Sequence, residues 1–175
     1  MNTNIGFITA PIKESGLSPV ANYLAILSKF SDPYIITGIS AKVLFERNKE
    51  ISSNGRVIFV NYPIESNMPL KIIHYISGQL RYSYYILRHS KDADIWIFFF
   101  GGGRMVLPMA TAHLLKKPVV FCMPGSIVQS AKSSGDPLLK LIEILSRIAC
   151  HIADYIILYS SNLIAEWDLE KYRHK

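Results

Sequence analysis

The stretch Ala153-Asp154-Tyr155-Ile156-Ile157-Leu158-Tyr159-Ser160-Ser161-Asn162-Leu163-Ile164 is a short apolar strand that stops on a pair of hydroxyls and turns at once into a helical pattern. Upstream, Lys117-Pro118-Val119-Val120-Phe121-Cys122 behaves the same way and runs into Met123-Pro124-Gly125-Ser126. A strand that hands over to a helix this abruptly is one unit of a βα chain. Repetition of that unit predicts a parallel sheet with its helices on the two faces.

Earlier segments repeat the unit. Asn4 to Thr9, Tyr34 to Thr37, Arg56 to Asn61 and Ile95 to Phe100 read as four more strands. The run Ile95 to Phe100 is apolar at successive positions, as a strand buried on both faces requires. Asp92-Ala93-Asp94 reads as the start of that strand. Ser18 is expected to cap a helix with Pro19 at its first position, where a missing N–H costs nothing. Its buried face is Val20, Leu24 and Leu27. A helix is expected over Ala41 to Lys49, and Pro63 is expected to stop the third strand. Further helices are expected over Arg104 to Leu115 and, behind Asp136-Pro137, up to about Ala153. The segment Pro124 to Gly135, rich in Ser, Gly and Lys, reads as a loop. The fold class is therefore α/β: a Rossmann-like parallel sheet of about six strands, a single domain over residues 1–175.

The longest helix is expected from Pro69 to His89. Leu70, Ile73, Ile76, Leu80, Tyr84 and Leu87 recur at steps of three and four, which is one helix face. Lys71, His74, Gly78, Arg81, Tyr85 and Arg88 recur at the same steps on the opposite face, which is basic and aromatic. Lys71, Arg81 and Arg88 suit an anionic membrane surface, with Tyr85 at headgroup level. An ordinary solvated helix face accounts for the same pattern.

Charge is unevenly distributed. The formal net charge is +6. From Ser66 to Gly135 the only acids are Asp92 and Asp94, against eight lysines and arginines. Such a span is either a solvated basic face or the mark of an anionic partner: a phosphorylated ligand, a lipid surface or a nucleic acid. No RNA-recognition, zinc-finger or helix-turn-helix pattern occurs, so no nucleic-acid partner is expected. Cys122 and Cys150 lie in apolar runs and read as small buried residues of a reducing compartment. Neither has ligand-spaced neighbours, so no metal is expected, and no motif calls for a cofactor. The N-terminus lacks the pattern of a signal peptide. The longest intensely apolar run falls far short of the ~20 residues of a membrane span. The expectation is a cytoplasmic chain, soluble or peripheral at the inner face of the membrane.

Ligands of such sheets sit at the carboxyl ends of the strands. Four expected loops fall on that edge. Gly101-Gly102-Gly103-Arg104 joins a buried strand to a helix; glycine permits close approach, and the helix start offers N–H groups to an anion. Arg104 adds a charge-assisted contact. A tight βα turn is the plainer reading. The run is not a G-x-G-x-x-G fingerprint. Lys13-Glu14-Ser15-Gly16 reads as a substrate lip or an ordinary polar loop, and lacks the Gly-Lys-Ser/Thr of a Walker loop. Met123-Pro124-Gly125-Ser126 offers the Ser126 hydroxyl, or is simply a turn. Ser160–Asn162 is the fourth. The five histidines are scattered, none at the end of a strand.

The run Lys117–Gly125, the acid-poor loop behind it, and Ala153 through Leu163 resemble the N-terminal domain of family-4-type retaining glycosyltransferases with the B-type (GT-B) fold. The tail Leu163-Ile164-Ala165-Glu166-Trp167 with Leu169-Glu170-Lys171-Tyr172 looks like the end of that domain. Gly16 stands where the family has its glycine-rich acceptor loop. The resemblance implies two Rossmann-like domains facing a cleft: an acceptor-side half, which this chain would be, and a donor-binding half that carries a Glu-x7-Glu pair. None of the seven glutamates here has that spacing. The resemblance therefore implies that the donor-binding half is absent from the chain. Pro124 stands about where many relatives have a histidine, so catalytic residues are not assigned.

These readings converge on a hexosyltransferase-like acceptor half, inactive alone. Gly16, Gly101, Gly102, Gly103, Arg104 and Ser126 would line its substrate site. Its partner is a sugar acceptor, lipid- or phosphate-linked forms included, and a nucleotide-sugar only when the second domain is present. The alternative is a non-catalytic Rossmann-like module that binds or docks on a membrane or a partner.

Overall fold

The structure, a computed structural model, describes residues 3–12, 16–47, 56–61, 68–99 and 101–175. Its centre is a six-stranded sheet in the order β3-β2-β1-β4-β5-β6, with all pairs parallel. The strands are β1 (Ile5–Thr9), β2 (Tyr34–Gly38), β3 (Val57–Val60), β4 (Ile95–Phe99), β5 (Val119–Met123) and β6 (Tyr155–Leu158). The helices are α1 (Leu17–Leu27), α2 (Lys42–Arg47), α3 (Met68–Arg88), α4 (Val106–Leu114), α5 (Ile127–Ser133), α6 (Leu139–Ile152) and α7 (Asn162–Glu166). The chain builds outward from β1 to β3, crosses back through α3, and builds the other way from β4. This reversal leaves β1 and β4 side by side at the point where the strand order turns back.

Strand alternation divides the core into two. Ile8, Trp96, Phe98 and Phe121 face α3, α4 and α6, meeting Tyr82, Ile86, Met109 and Ala149. Phe7, Ile35, Ile97, Phe99 and Val120 face α1 and α2, meeting Val20, Leu24 and Phe45. The inner strands β2 and β5 are buried at every residue, whereas the edge strand β6 is alternately exposed and half-buried. Continuous apolar runs mark the strands that are covered on both faces.

Two aspartates start strands by the same device. Asp94 donates its N–H to the Asn4 carbonyl and accepts the Asn4 N–H on Oδ2, at 2.8 and 2.9 Å. Asp154 makes the equivalent pair with Val119, at 2.9 and 2.8 Å. Each carboxylate thereby occupies a backbone donor at the amino edge that the ladder leaves free. The expected strand start at Asp92-Ala93-Asp94 is found at that place.

Several helix boundaries differ from expectation. Gly16, not Ser18, is the N-cap of α1, and no side chain caps it. Pro19 is tolerated within the first turn because N–H groups there have no intrahelical partner in any case. Pro124 to Gly135 is not all loop, since it holds α5. Asp136 caps a turn rather than the helix: its Oδ1 accepts the Leu138 N–H at 2.8 Å, and α6 begins at Leu139. The expected ends Lys49 and Pro63 lie outside the described residues.

The long helix α3 reverses the depth that its pattern implies. Gly78, Tyr82 and Ile86 are buried, and Tyr85 is half-buried against the same core. The apolar stripe Leu70, Ile73, Ile76, Leu80, Tyr84 and Leu87 faces outward and is exposed. Arg81 and Arg88 are exposed. The side chain of Lys71 lies outside the described residues.

Candidate functional site

The carboxyl edge at the β1/β4 reversal is the natural place for a ligand, and three sequence-marked segments meet there. Gly101, just past β4, has φ +72°, a left-handed backbone that favours glycine. A Cβ on it would lie 2.6 Å from the Ala10 Cβ, so the loops after β1 and β4 touch. Gly103 is buried; a Cβ there would lie 3.6 Å from Ile127 and 3.6 Å from Phe121. The triple-glycine corner therefore abuts the start of α5, next to Ser126. The two corners share one edge of the sheet. Gly16 opens α1 on the same edge, because α1 follows the parallel strand β1. Lys13, Glu14 and Ser15 lie outside the described residues, as does the burial of Gly102.

Each site residue has a definite state. The Arg104 side chain is exposed, and no carboxylate among the described residues pairs with it. Its carbonyl accepts two bonds from α3, from Tyr75 Oη and Gln79 Nε2, each at 2.7 Å. Gln79 Oε1 also accepts the Leu107 N–H at 3.2 Å. These contacts hold the corner against α3 while leaving the guanidinium to solvent. Ser126 is the N-cap of α5: its Oγ accepts the Gln129 N–H at 3.1 Å. The hydroxyl proton remains available to a ligand oxygen.

Behind the rim lies a layer that sequence reasoning missed. Tyr82 Oη donates to the Thr9 carbonyl at 3.0 Å, and Thr9 Oγ1 lies 2.6 Å from Thr37 Oγ1, all buried. These bonds fix the ends of β1 and β2 to α3. Beyond the strand ends, the Ile12 N–H in the first loop donates to Ser40 Oγ in the turn after β2 at 3.2 Å, which fastens that loop as far as it is described. Tyr75, Gln79 and Tyr82 were discernible as hydrogen-bonding residues at helical steps.

Two grooves lie away from this rim. One, of about 460 Å³, runs between β3 and α3 past Asn61, Leu80, Arg81 and Tyr84. The other, of about 380 Å³, lies at the amino edge around His113, Lys117 and Asp154. Neither is lined by the sequence-marked glycines, Arg104 or Ser126. A rim with one wall is a shelf, and becomes a pocket only when a second wall faces it. Among the described residues no three His, Cys, Asp or Glu side chains are grouped to hold a metal.

Close by, Tyr23 Oη lies 3.3 Å from Cys122 Sγ. Burial pushes the Cys122 thiol up to about 11, with the Tyr23 bond opposing the shift. Burial also pushes Cys150 up to about 11 and, with help from Asp92, Tyr34 to about 12. These groups are neutral when folded, so the thiols are poor nucleophiles. Below about pH 8, a unit under the unfolded thiol value of 9.0, the folded and unfolded forms hold the same protons. Above it, unfolded chains lose protons that the folded chain retains, and stability falls as pH rises through about 11 to 12. Urea midpoints are expected to be flat up to about pH 8 and to decline steadily from there to about pH 10.5. Cys122→Ala should make that decline shallower by about one proton; an unchanged slope would show that Cys122 is not the buried neutral thiol described here.

The fold is that of a GT-B N-terminal domain. A crystal structure described as UDP-N-acetylglucosamine 2-epimerase matches all of this chain and 46% of its own, at TM-score 0.69 and 14% identity. UGT73P12 of Glycyrrhiza uralensis, complexed with glycyrrhetinic acid 3-O-monoglucuronide, matches 98% of this chain and 47% of its own, at TM-score 0.65 and 13% identity. MurG of Acinetobacter baumannii matches 88% and 40%, at TM-score 0.53 and 11% identity. The chain thus spans less than half the length of these neighbours. No protein-family model and no curated protein matches it.

Proposed function

We propose that this chain is the acceptor-side half of a sugar-transferring enzyme of the retaining, family-4 type. A sugar acceptor would rest on the carboxyl-edge shelf. The nucleotide-sugar would enter only when a donor-binding domain supplies the facing wall. Gly16, Gly101, Gly102 and Gly103 leave backbone N–H groups approachable, while Arg104 and Ser126 offer a guanidinium and a hydroxyl to phosphate or sugar oxygens. The observation that carries this reading is the contact of the Gly101 corner with Ala10 on one side and of the Gly103 corner with Ile127 on the other. It gathers the marked segments along one rim of a fold whose neighbours handle sugars.

Transfer needs groups from both walls in the transition state, so the chain alone would turn over little or nothing. We place it in the cytoplasm, at the inner face of a membrane. No helix among the described residues is long and apolar enough to cross one.

Amide spectra test the site. Titration with a sugar 1-phosphate is expected to move the amide signals of Leu17, Gly101, Gly103 and Arg104. Arg104→Ala should weaken the effect about tenfold, as loss of a charge-assisted hydrogen bond does. Shifts confined to the amino edge, around His113 and Lys117, would refute the assignment. Sugar transfer by the isolated chain at rates of a complete enzyme would refute the half-enzyme reading. A ligand that binds the rim in the presence of a donor domain without any transfer would favour the non-catalytic module.

A further inference from the structure

Three helices, α3, α4 and α6, form the layer over one face of the sheet, and the outer side of all three is apolar. They run parallel, since each joins the carboxyl end of one parallel strand to the start of the next, and α4 lies between the other two. Tyr82 and Ile86 of α3, Met109 and Ala112 of α4, and Ala149 and Cys150 of α6 enter the core. The residues half a turn round from these point away from the sheet. On α3 they are the exposed stripe from Leu70 to Leu87. On α4 they are Leu107 and Leu114, and on α6 Leu141, Ile144 and Ile148, all exposed. The α3 stripe is about 26 Å long. With its neighbours at a helix spacing of about 10 Å, the apolar surface projects on the order of 500 Å². Two such surfaces face to face reach the roughly 1,000 Å² at which a specific interface begins.

The stripes are placed for a second copy of the chain. A two-fold axis lying between two layers and across their helices turns each helix antiparallel to its own counterpart. Such an axis crosses every stripe at its midpoint, so the midpoints have to lie level. They do. The α3 stripe is centred on Gly78 and Gln79, and Gln79 bonds the Arg104 carbonyl and the Leu107 N–H. The α6 stripe is centred on Ile144 and Leu145, next to Ser146. A Cβ on Gly103 would lie 3.3 Å from Ser146 Oγ. Both midpoints therefore stand beside the same turn, from Gly103 to Leu107, and Leu107 lies between them.

Charge agrees with this pairing. With α6 antiparallel about its midpoint, Glu143 comes beside Arg147 of the second copy, and Arg147 beside its Glu143. Neither side chain has an ion-pair partner of its own among the described residues. On α3 the same axis sets Arg81 beside Ile76 of the second copy and Arg88 beside its Pro69, so the arginines do not meet. Repulsion between two chains of net charge +6 is screened beyond about 8 Å at physiological salt.

We infer that two copies of this chain pair through their helical layers, α3 antiparallel to α3 and α6 antiparallel to α6. The carboxyl rims then point to opposite ends of the dimer, and both stay open. The inference does not rest on the sugar-transfer reading.

Sedimentation velocity of the full chain tests this. A dimer is expected across the micromolar range, about 1 to 100 µM. Ile144→Glu sets a carboxylate against its own mate near the axis and should weaken the dimer about a hundredfold. Glu143→Arg should weaken it about tenfold, because the two-fold doubles each charge pair. Adding Arg147→Glu to Glu143→Arg exchanges the charges and should restore the parent affinity. None of these side chains is buried, so unchanged circular dichroism and melting would verify that the variants fold. Both native cysteines are buried, so mild oxidation of Ile144→Cys should link two chains. Ile26→Cys, exposed on α1 across the sheet, should not. A chain that stays monomeric to about 100 µM overturns the inference. So does an Ile144→Glu dimer as tight as the parent, or linkage through Ile26→Cys as ready as through Ile144→Cys. A charge exchange that fails to restore the dimer overturns the antiparallel pairing of α6. A monomer that floats with phosphatidylglycerol vesicles, and no longer does so as Ile144→Glu, would give the face to lipid and overturn it too.

Discussion

Gly6→Ala is expected to cost the fold about 3 kcal/mol or more, a large share of its stability. Gly6 lies in β1, directly opposite Trp96 of β4 in the ladder. A Cβ on Gly6 would lie 2.3 Å from Trp96 Cε3 and 2.5 Å from Cζ3. That is far inside van der Waals contact, and the obstacle is the body of an indole rather than a mobile chain end. Trp96 is fully buried and meets the Tyr34 ring edge-on, with centroids 6.3 Å apart. Its Nε1 has no hydrogen-bond partner among the described residues, so the indole is held there by volume rather than by a polar tie. Overpacking a filled core ordinarily costs about 1–3 kcal/mol, and a clash between two adjacent central strands lies at or beyond the upper end. A domain has only about 5–15 kcal/mol in all. Urea unfolding followed by circular dichroism should show the loss. Trp96→Leu in the same chain should restore part of it by vacating the space. A Gly6→Ala chain that melts within a degree or two of the parent would mean that β1 and β4 are not paired in this register.

The same glycine shows what the sequence made legible. The strands were readable because β1, β4 and β5 are apolar at nearly every position, and burial on both faces leaves no other use for such runs. The edge of the sheet that carries the site was readable for a related reason, since each strand hands over to a helix at its carboxyl end. What escaped is whatever depends on a partner distant in sequence. Tyr82 and Thr9 are joined across 73 positions, and Thr9 and Thr37 across 28, so nothing local announces either bond. The short helix α5 hid because four of its seven residues are Ser, Gln or Lys, a composition that also suits a loop. In α3 the periodicity was sound, yet it could not say which side faces the core. Gly78, Tyr82 and Ile86 pack closely where small and aromatic residues fit, and the leucine stripe is left outside. Hydrophobic period fixes the existence of a face; its direction depends on which side can interlock with the sheet.

Gly101→Ala is expected to damage the candidate site more than any other single methyl added along the rim. Two costs combine. At φ +72° an L-residue brings its Cβ toward a carbonyl oxygen, which costs about 1–2 kcal/mol. The same Cβ would lie 2.6 Å from Ala10 Cβ, and relief requires the first loop to shift. That loop has little room, since Pro11 packs against Gly38 and Ile12 is bonded to Ser40. Together these should cost about 3 kcal/mol, or roughly 6–12 °C in Tm for a chain of this size. The neighbouring glycines set the scale. Gly103→Ala meets Ser146 Oγ at 3.3 Å, a side-chain end that can give slightly, and Gly125→Ala meets nothing within 4 Å. The expected order of loss is Gly101 well above Gly103, with Gly125 near zero. Ala10→Gly in the Gly101→Ala chain should recover the contact cost but not the backbone strain, so about half of the loss should remain. Titration with a sugar 1-phosphate should fail in Gly101→Ala even at temperatures where the chain is folded, because Ala10 and the Gly103 corner no longer share one rim. Equal losses in Gly101→Ala and Gly125→Ala would show that the loops after β1 and β4 do not touch, and the shelf would then have no floor.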